Sequence, residues 1–335
     1  INFMKYGFFG KAERTFANNR LGVSFGLRAD TDTFSEGSSM MDNLSPRLSF
    51  SYNLTADQQW KLNGSLGRYF KIPTYTMLGF QNQISEFINQ NAKYSRSDHI
   101  VAGLEYNLTP VSRFTVEGFV KNYANYPISV VDGVSLANKG GGFEVLGNEA
   151  ILTDGEGQSS GVELLFQQKL SRNFYGIFAY TYFFSDFTGL DGISRPSVWD
   201  SRHLISFSGG YKLKRNWEIS ARWRFAGKNP YVPVDIEAST VSYPEIILDY
   251  TRLGEEKLAT FSQLDVRVDK KWNYSQLSLN IFIEIQNILG QSIPRPNEYG
   301  LSRDMDGNLN NPLSLSQINQ DTSTSIPSIG IVVDF

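Results

Sequence analysis

From Gln263 the chain alternates with period two. Gln263, Asp265, Arg267, Asp269 and Lys271 fall on one side, and Leu264, Val266 and Val268 on the other. After a break at Trp272–Ser275 the alternation resumes, with Leu277, Leu279, Ile281, Ile283 and Ile285 opposite Gln276, Ser278, Asn280, Phe282, Glu284 and Gln286. Successive side chains of a strand point to opposite faces, so this is a hairpin of two strands. Each is about twice the usual length of a strand in a globular protein. A soluble sandwich would bury the aliphatic face and wet the charged one. A transmembrane barrel turns the aliphatic face to lipid and the charges to a wet lumen.

The same alternation recurs along the chain. Paired strands are predicted over 2–13 with 20–30, 45–55 with 60–69, 100–108 with 114–123, 161–170 with 174–186, and 203–213 with 217–225. The opening hairpin comes sixth, and a final single strand runs from Ser325 to Phe335. That makes about thirteen strands, joined alternately by tight turns and long polar loops, as in outer-membrane barrels. Aromatic residues gather at the tight turns. Tyr52, Tyr106 and Tyr211 precede them, and Trp60, Phe114, Phe174 and Trp217 follow them. Such a row at one end of the strands is what a membrane interface selects. Strand parity adds an expectation. With the tight turns periplasmic, the first and last strands both descend, whereas a closed bacterial barrel has an even number of strands. An open arc is therefore expected, with further strands completing the barrel.

Composition narrows the field. The 335 residues carry a net charge of −3, which leaves no basic excess for nucleic acid. There is no cysteine, which excludes thiolate metal sites and cysteine nucleophiles. No apolar run approaches the roughly 20 residues of a transmembrane helix, and a barrel strand needs none. The sequence opens at Ile1 inside a strand-like run, so a piece of something longer is expected.

At this point the text resembles a known family. SPRLSFSYNLT…WKLNGSLGRYFKIP (45–73), GLEYNLTPVSRFTVEGFVKNYANYPI (103–128), QSSGVELLFQQKL…YGIFAYTYFFSDF (158–187) and FSQLDVRVDKKW with LSLNIFIEIQNILGQ (261–291) resemble successive strand pairs of TonB-dependent outer-membrane receptors. The terminal IGIVVDF (329–335) is similar to the strand read by the barrel-assembly machinery, with Ile329, Ile331, Val333 and Phe335 on one face. The resemblance implies an all-β fold, an antiparallel transmembrane β-barrel. Residues 1–335 would be the C-terminal part of a barrel of about 22 strands. Its plug domain, TonB box and first strands would lie outside this text. It also implies residence in the bacterial outer membrane and TonB-driven uptake of a scarce, large solute. The implied partners are the TonB complex, the assembly machinery acting on Phe335, outer-membrane lipid, and a surface lipoprotein as a further candidate. A passive channel of fewer strands is the alternative, and an outer-membrane hydrolase a third.

Site candidates follow from position. Glu105, Glu117, Glu163, Arg222, Arg224, Asp265, Arg267, Asp269 and Glu284 fall at lumen-facing positions, where both signs would pair across strands and meet a plug. Loop aromatics Tyr75, Phe80, Tyr126, Tyr231 and Tyr243 are the first groups an arriving solute would meet. Other motifs weigh little. Gly157-Gln158-Ser159-Ser160-Gly161 fits the nucleophile-elbow pattern but lacks the strand before and helix after that the elbow needs. His99 and His203 read as rim histidines, and Gly140–Gly142 as a flexible loop tip. Asp304, Asp306 and Asn308 have partial calcium-loop spacing without the distal Glu, which reads as a turn. No catalytic residue, cofactor or metal is expected.

Overall fold

The computed structural model describes residues 1–139, 146–318 and 323–335. Gly140, Gly141 and Gly142 lie outside the described residues. Thirteen long strands follow one another in a single antiparallel meander. They are β1 (Lys5–Phe16), β2 (Leu21–Asp32), β3 (Leu44–Asn53), β4 (Trp60–Lys71), β5 (Ser95–Thr109) and β6 (Ser112–Ser129). Then come β7 (Ile151–Ser171), β8 (Phe174–Thr188), β9 (His203–Lys212), β10 (Trp217–Ala226), β11 (Phe261–Asn273), β12 (Ser278–Gln286) and β13 (Ile326–Asp334). A three-residue strand, Ser194–Pro196, adds to β8. Among the described residues the first strand pairs only with β2 and the last only with β12, so the sheet is an open arc.

Tight turns are made by residues that tolerate left-handed backbone. Ala17, Asn18 and Asn19 all have positive φ between β1 and β2, and Gln58, Arg172, Arg215 and Asn216 serve the next turns. Longer connections carry small elements of their own, including helix α1 (Tyr75–Leu78) and helix α2 (Ile236–Ser242). A short hairpin, Glu298–Leu301 with Leu315–Ile318, belongs to the last long connection. Three boundaries differ from expectation by five residues or more. β5 begins at Ser95 rather than Ile100, β6 ends at Ser129 rather than Tyr123, and β7 begins at Ile151 rather than Gly161. These outer extensions are rich in polar residues and have no alternation to reveal them.

Register separates two faces. Leu279 pairs with Val333, Ile281 with Ile331 and Ile283 with Ile329; Leu279 and Ile281 are half-buried and the other four exposed, Ile283 at 55% and Ile329 at 74%. On the same face Trp60 lies opposite Tyr106, stacked at 4.4 Å, Tyr106 opposite Phe114, and Phe174 opposite Tyr211. Tyr52 and Trp217 share this face too, so all the aromatics at the tight turns lie on the aliphatic side of the sheet. Buried apolar residues lie elsewhere, in the long connections and outer strand ends: Met77, Leu78, Tyr94, Val134, Leu136, Phe187, Val232 and Leu253 among them. A sheet whose apolar face is uncovered, while its loops hold the packed core, inverts the arrangement of a soluble sandwich.

Candidate functional site

The inward face of the arc is a charged wall. Asp265, 4% exposed, accepts hydrogen bonds from Arg222 Nη2 (2.7 Å) and Nε (3.0 Å), Gln263 Nε2 (2.8 Å) and the Asn287 backbone N–H (2.9 Å). Arg267 forks onto Asp269 at 2.7 and 2.8 Å, reaches Glu284 at 3.7 Å and lies 3.6 Å above the ring of Phe282. Phe282 in turn covers Gly330 of the neighbouring strand, where a side chain would collide with the ring. Arg224 donates to Gln263 (2.8 Å). Glu105 sits between Lys61 (3.2 Å) and Arg113 (3.5 Å). Glu117 and Glu163 stand directly opposite each other on β6 and β7, and neither has an ion pair or hydrogen bond among the described residues. All nine charges assigned inward by their alternation share this face.

Above the wall the outer loops are tied into a collar. Asn89, 2% exposed, donates to the carbonyls of Met77 and Glu149 (both 2.8 Å) and accepts from Ile151 N–H (3.0 Å). Asn138 donates to the carbonyls of Arg195 (3.0 Å) and Pro196 (2.8 Å). Tyr94 donates to Asp32 at 2.7 Å, and burial together with that carboxylate pushes its phenol far up. Val134, Val232 and Leu253 pack the β6–β7 connection against the β10–β11 connection. Lys139 bridges Asp132 and Glu149; burial alone would lower its pKa, but the two carboxylates hold it above the ordinary lysine value. None of these asparagine contacts carries a sequence signature, since each joins positions far apart in the chain.

The five aromatic candidates have different surroundings. Tyr75 is exposed at the start of α1, edge-on to Phe3 at 5.5 Å, with Lys5 Nζ 5.7 Å from its ring. Phe80 is half-buried just past α1. Tyr126 is not a loop residue: it belongs to β6 and packs against Phe187 (4.5 Å) and Tyr123 (6.2 Å), because that strand runs on beyond the membrane. Tyr231 donates to Glu256, and burial with this bond pushes its phenol up to about 12. Tyr243 is exposed after α2. The rings of the five make no contact with one another among the described residues.

Other motifs resolve structurally. Ser159 lies within β7, its hydroxyl 2.8 Å from that of Ser185. His99 faces inward against Tyr69, not at the rim, with Nε2 2.7 Å from Ser97 Oγ. Lys121 stands in register between His99 and Ser159, which puts them two strands, or about 10 Å, apart. His203 faces outward, 2.9 Å from the Tyr180 hydroxyl. Asp304 accepts from the backbone N–H of Asp306 (3.0 Å) and Asn308 (2.8 Å), which lowers its pKa and closes a hairpin tip.

An uncovered aliphatic face, an aromatic belt at the tight turns and a charged opposite face define a transmembrane β-barrel of the bacterial outer membrane. The chain belongs to the family described as TonB dependent receptor-like, beta-barrel, whose family model matches residues 1–288. No curated protein matches the sequence. Among solved structures, the outer membrane transporter YddB from Escherichia coli is 13% identical, with a TM-score of 0.62, covering 99% of this chain and 45% of its own. The unliganded ferric citrate transporter FecA is 13% identical, with a TM-score of 0.60 and the same coverages. The ferripyoverdine receptor of Pseudomonas aeruginosa is 12% identical, with a TM-score of 0.59, covering 94% of this chain and 37% of its own. At these identities the likeness is one of fold, and the chain spans less than half the length of these proteins. The family and these neighbours are receptors and transporters rather than enzymes.

Proposed function

We propose that this arc is the C-terminal wall of a plugged barrel that takes up a scarce, large solute with energy from TonB. The observation that carries this reading is the Glu117–Glu163 pair. Every other inward acid on the strands meets a cation within 4 Å or a set of hydrogen-bond donors within the wall, whereas these two face each other with no such partner, and the charge of Lys121 reaches Glu117 only from further along β6. Two like charges directly opposite on a sheet repel. A cation from a domain filling the lumen would relieve both at once, and an empty passive channel would supply none. The similar structures named for ferric citrate and ferripyoverdine make a ferric chelate the first solute to try. The collar's exposed rings, Tyr75 and Tyr243, are its proposed first contacts.

The test uses the full-length receptor in cells with and without TonB. Glu117→Gln with Glu163→Gln should leave the folded level unchanged, lower uptake of labelled ferric chelate, and raise sensitivity to large antibiotics as the lumen loosens. Uptake that persists without TonB would support the passive channel instead. An unaltered leak and unaltered uptake in the double variant would remove the plug contact from this pair.

A further inference from the structure

On the inward face, one register row crosses the first eight strands. Lys11 stands opposite Gly26, and Arg47, Gly67, His99, Lys121, Ser159 and Ser185 follow in turn. The row carries three cations and no carboxylate. Lys11 is paired with Glu13 of its own strand at 2.5 Å. Arg47 and Lys121 have no ion pair or hydrogen bond among the described residues, and neither has Lys71, on the same face of β4. The acids nearby are already engaged, Asp30 by Arg28 (2.6 Å) and Asp32 by Ser35 (2.6 Å) and Tyr94 (2.7 Å). On β1 to β6 the inward acid left without such a partner is Glu117, four residues below Lys121. The wall from β10 to β12 differs, since there Arg222 and Arg267 each lie on an aspartate.

Rings hold these cations where acids do not. The Arg47 guanidinium lies 4.4 Å above Tyr69, whose ring also meets His99 at 4.5 Å, and Lys121 Nζ lies 4.8 Å from the ring of Phe119. Tyr69 can lie down over the sheet because residue 67 is glycine. A Cβ there would fall 2.8 Å from the ring's Cε2 and 2.9 Å from its hydroxyl. Stacking leaves the edge donors of Arg47 free. Arg47 and Lys121 are three strands apart, about 14 Å, and Lys71 lies about as far along β4 from Gly67 of the same row. Beneath Arg47 and Tyr69 the wall is hollowed by about 760 Å³, lined by Ser24, Ser49, Ser51, Asn63 and Ser65 among others. Lys121 stands seven residues above Phe114 at the tight turn. At a tilt of about 40° that is about 18 Å, in the outer third of an apolar band about 25 Å tall.

We propose that Arg47, Lys71 and Lys121 form a lumenal binding site for a solute that carries several carboxylate or phosphate groups. Its oxyanions take the free donors of the three cations, its body lies on Tyr69, and its remaining polar groups meet the serines of the hollow. A cleft with low-dielectric walls focuses the field of unpaired charge, so this sector draws polyanions in from the outer side. A guanidinium held flat on a ring presents its fork to a carboxylate or phosphate. The site deepens the uptake reading by naming the charge of the solute, and rests on that reading for the direction of travel. Binding itself needs no TonB.

The full-length receptor, purified in detergent, is titrated with pyrenetetrasulfonate, a flat polyanion whose sulfonates stand in for the solute's oxyanions, and binding is read by fluorescence anisotropy. The wild type should bind the dye, and Arg47→Gln with Lys71→Gln and Lys121→Gln should weaken binding about tenfold or more. Tyr69→Leu should weaken it as well, by removing the ring under Arg47. Lys214→Gln, which removes a charge at a tight turn, should leave it unchanged. Heat-modifiable migration in gels verifies that each variant is folded. No binding by the folded wild type, or equal binding by the folded triple variant, would overturn the proposal. Should the triple variant not fold, Arg47→Gln binding as tightly as the wild type would overturn it instead. Carbodiimide coupling of Lys71 or Lys121 to a carboxylate of the plug would also overturn it, by giving the cations to the protein itself. Uptake that persists without TonB while the dye still binds would remove the uptake reading and leave this site standing.

Discussion

At the scale of single residues, charge placement is decided by what lies across the strand. Asp265 is the most enclosed acid of the wall and accepts four hydrogen bonds, two of them from Arg222. Asp265→Asn should cost about 2 kcal/mol, the scale of hydrogen bonds to charged groups, kept from rising higher because half of Arg222 can turn to water. Urea unfolding of the refolded receptor in vesicles would measure it. Asp200, in the β8–β9 connection, behaves oppositely. Burial raises its pKa, while Arg202 at 3.2 Å pulls it down by less. A carboxyl whose folded pKa exceeds its unfolded value binds protons more readily when folded, so stability falls as pH rises between the two values and stays lowered above. Asp200→Asn should therefore raise the melting temperature at pH 7 and leave it unchanged near pH 3, where the carboxyl is already protonated. Melts at the two pH values decide it. The inward charges were legible because a strict alternation fixes side. Tyr126 was not: Pro127 beside it resembles a loop, yet backbone pairing with β7 continues past it through two register shifts.

At the scale of elements, the membrane-spanning strands were readable almost to their number, because lipid on one side and water on the other impose period two. Their outer ends were not, since beyond the bilayer both faces are wet or packed against loops and the alternation dissolves. Ser95 to His99, Ala124 to Ser129 and Ile151 to Ser160 are the cases. Placement is checked on the opening hairpin. Spin labels at Leu279, Ile281 and Ile283 should meet lipid-soluble quenchers, and labels at Asn280 and Glu284 aqueous ones; identical behaviour of the two sets would contradict the faces described. Ile281→Arg should cost about 2–4 kcal/mol near the midplane, and arginine at Leu289, beyond the strand, close to nothing. The collar gives the complementary expectation. Asn89 and Asn138 each tie two connections, so Asn89→Ala or Asn138→Ala should expose both partners to protease, not just the loop that carries the change. Limited proteolysis with mapping of the cut sites would show it.

At the scale of the whole molecule, the open arc leaves two rows of backbone groups to be matched. The outer edges of β1 and β13 have no strand partner among the described residues. Each unpaired N–H or C=O facing hydrocarbon costs several kcal/mol, so an arc cannot stand alone in a bilayer. Closing β1 onto β13 would require the tilt and stagger of all the strands to readjust to a smaller circumference. The edge of β13 is also where Ile329, Ile331 and Val333 face lipid and where the exposed ring of Phe335 ends the text. We therefore expect β13 to pair with a strand supplied from outside these residues. Residues 1–335 refolded by themselves into vesicles should yield no heat-modifiable monomer, only aggregates or paired arcs. Co-refolding with the N-terminal strands of the full receptor should restore it, with a disulfide forming between cysteine at Val332 and one on the incoming strand. Deleting Phe335 should lower the yield of assembled barrel in cells while leaving solute affinity of the assembled fraction unchanged. A stable heat-modifiable monomer from the isolated residues would show that the arc can close on itself, and would give the smaller channel its first support.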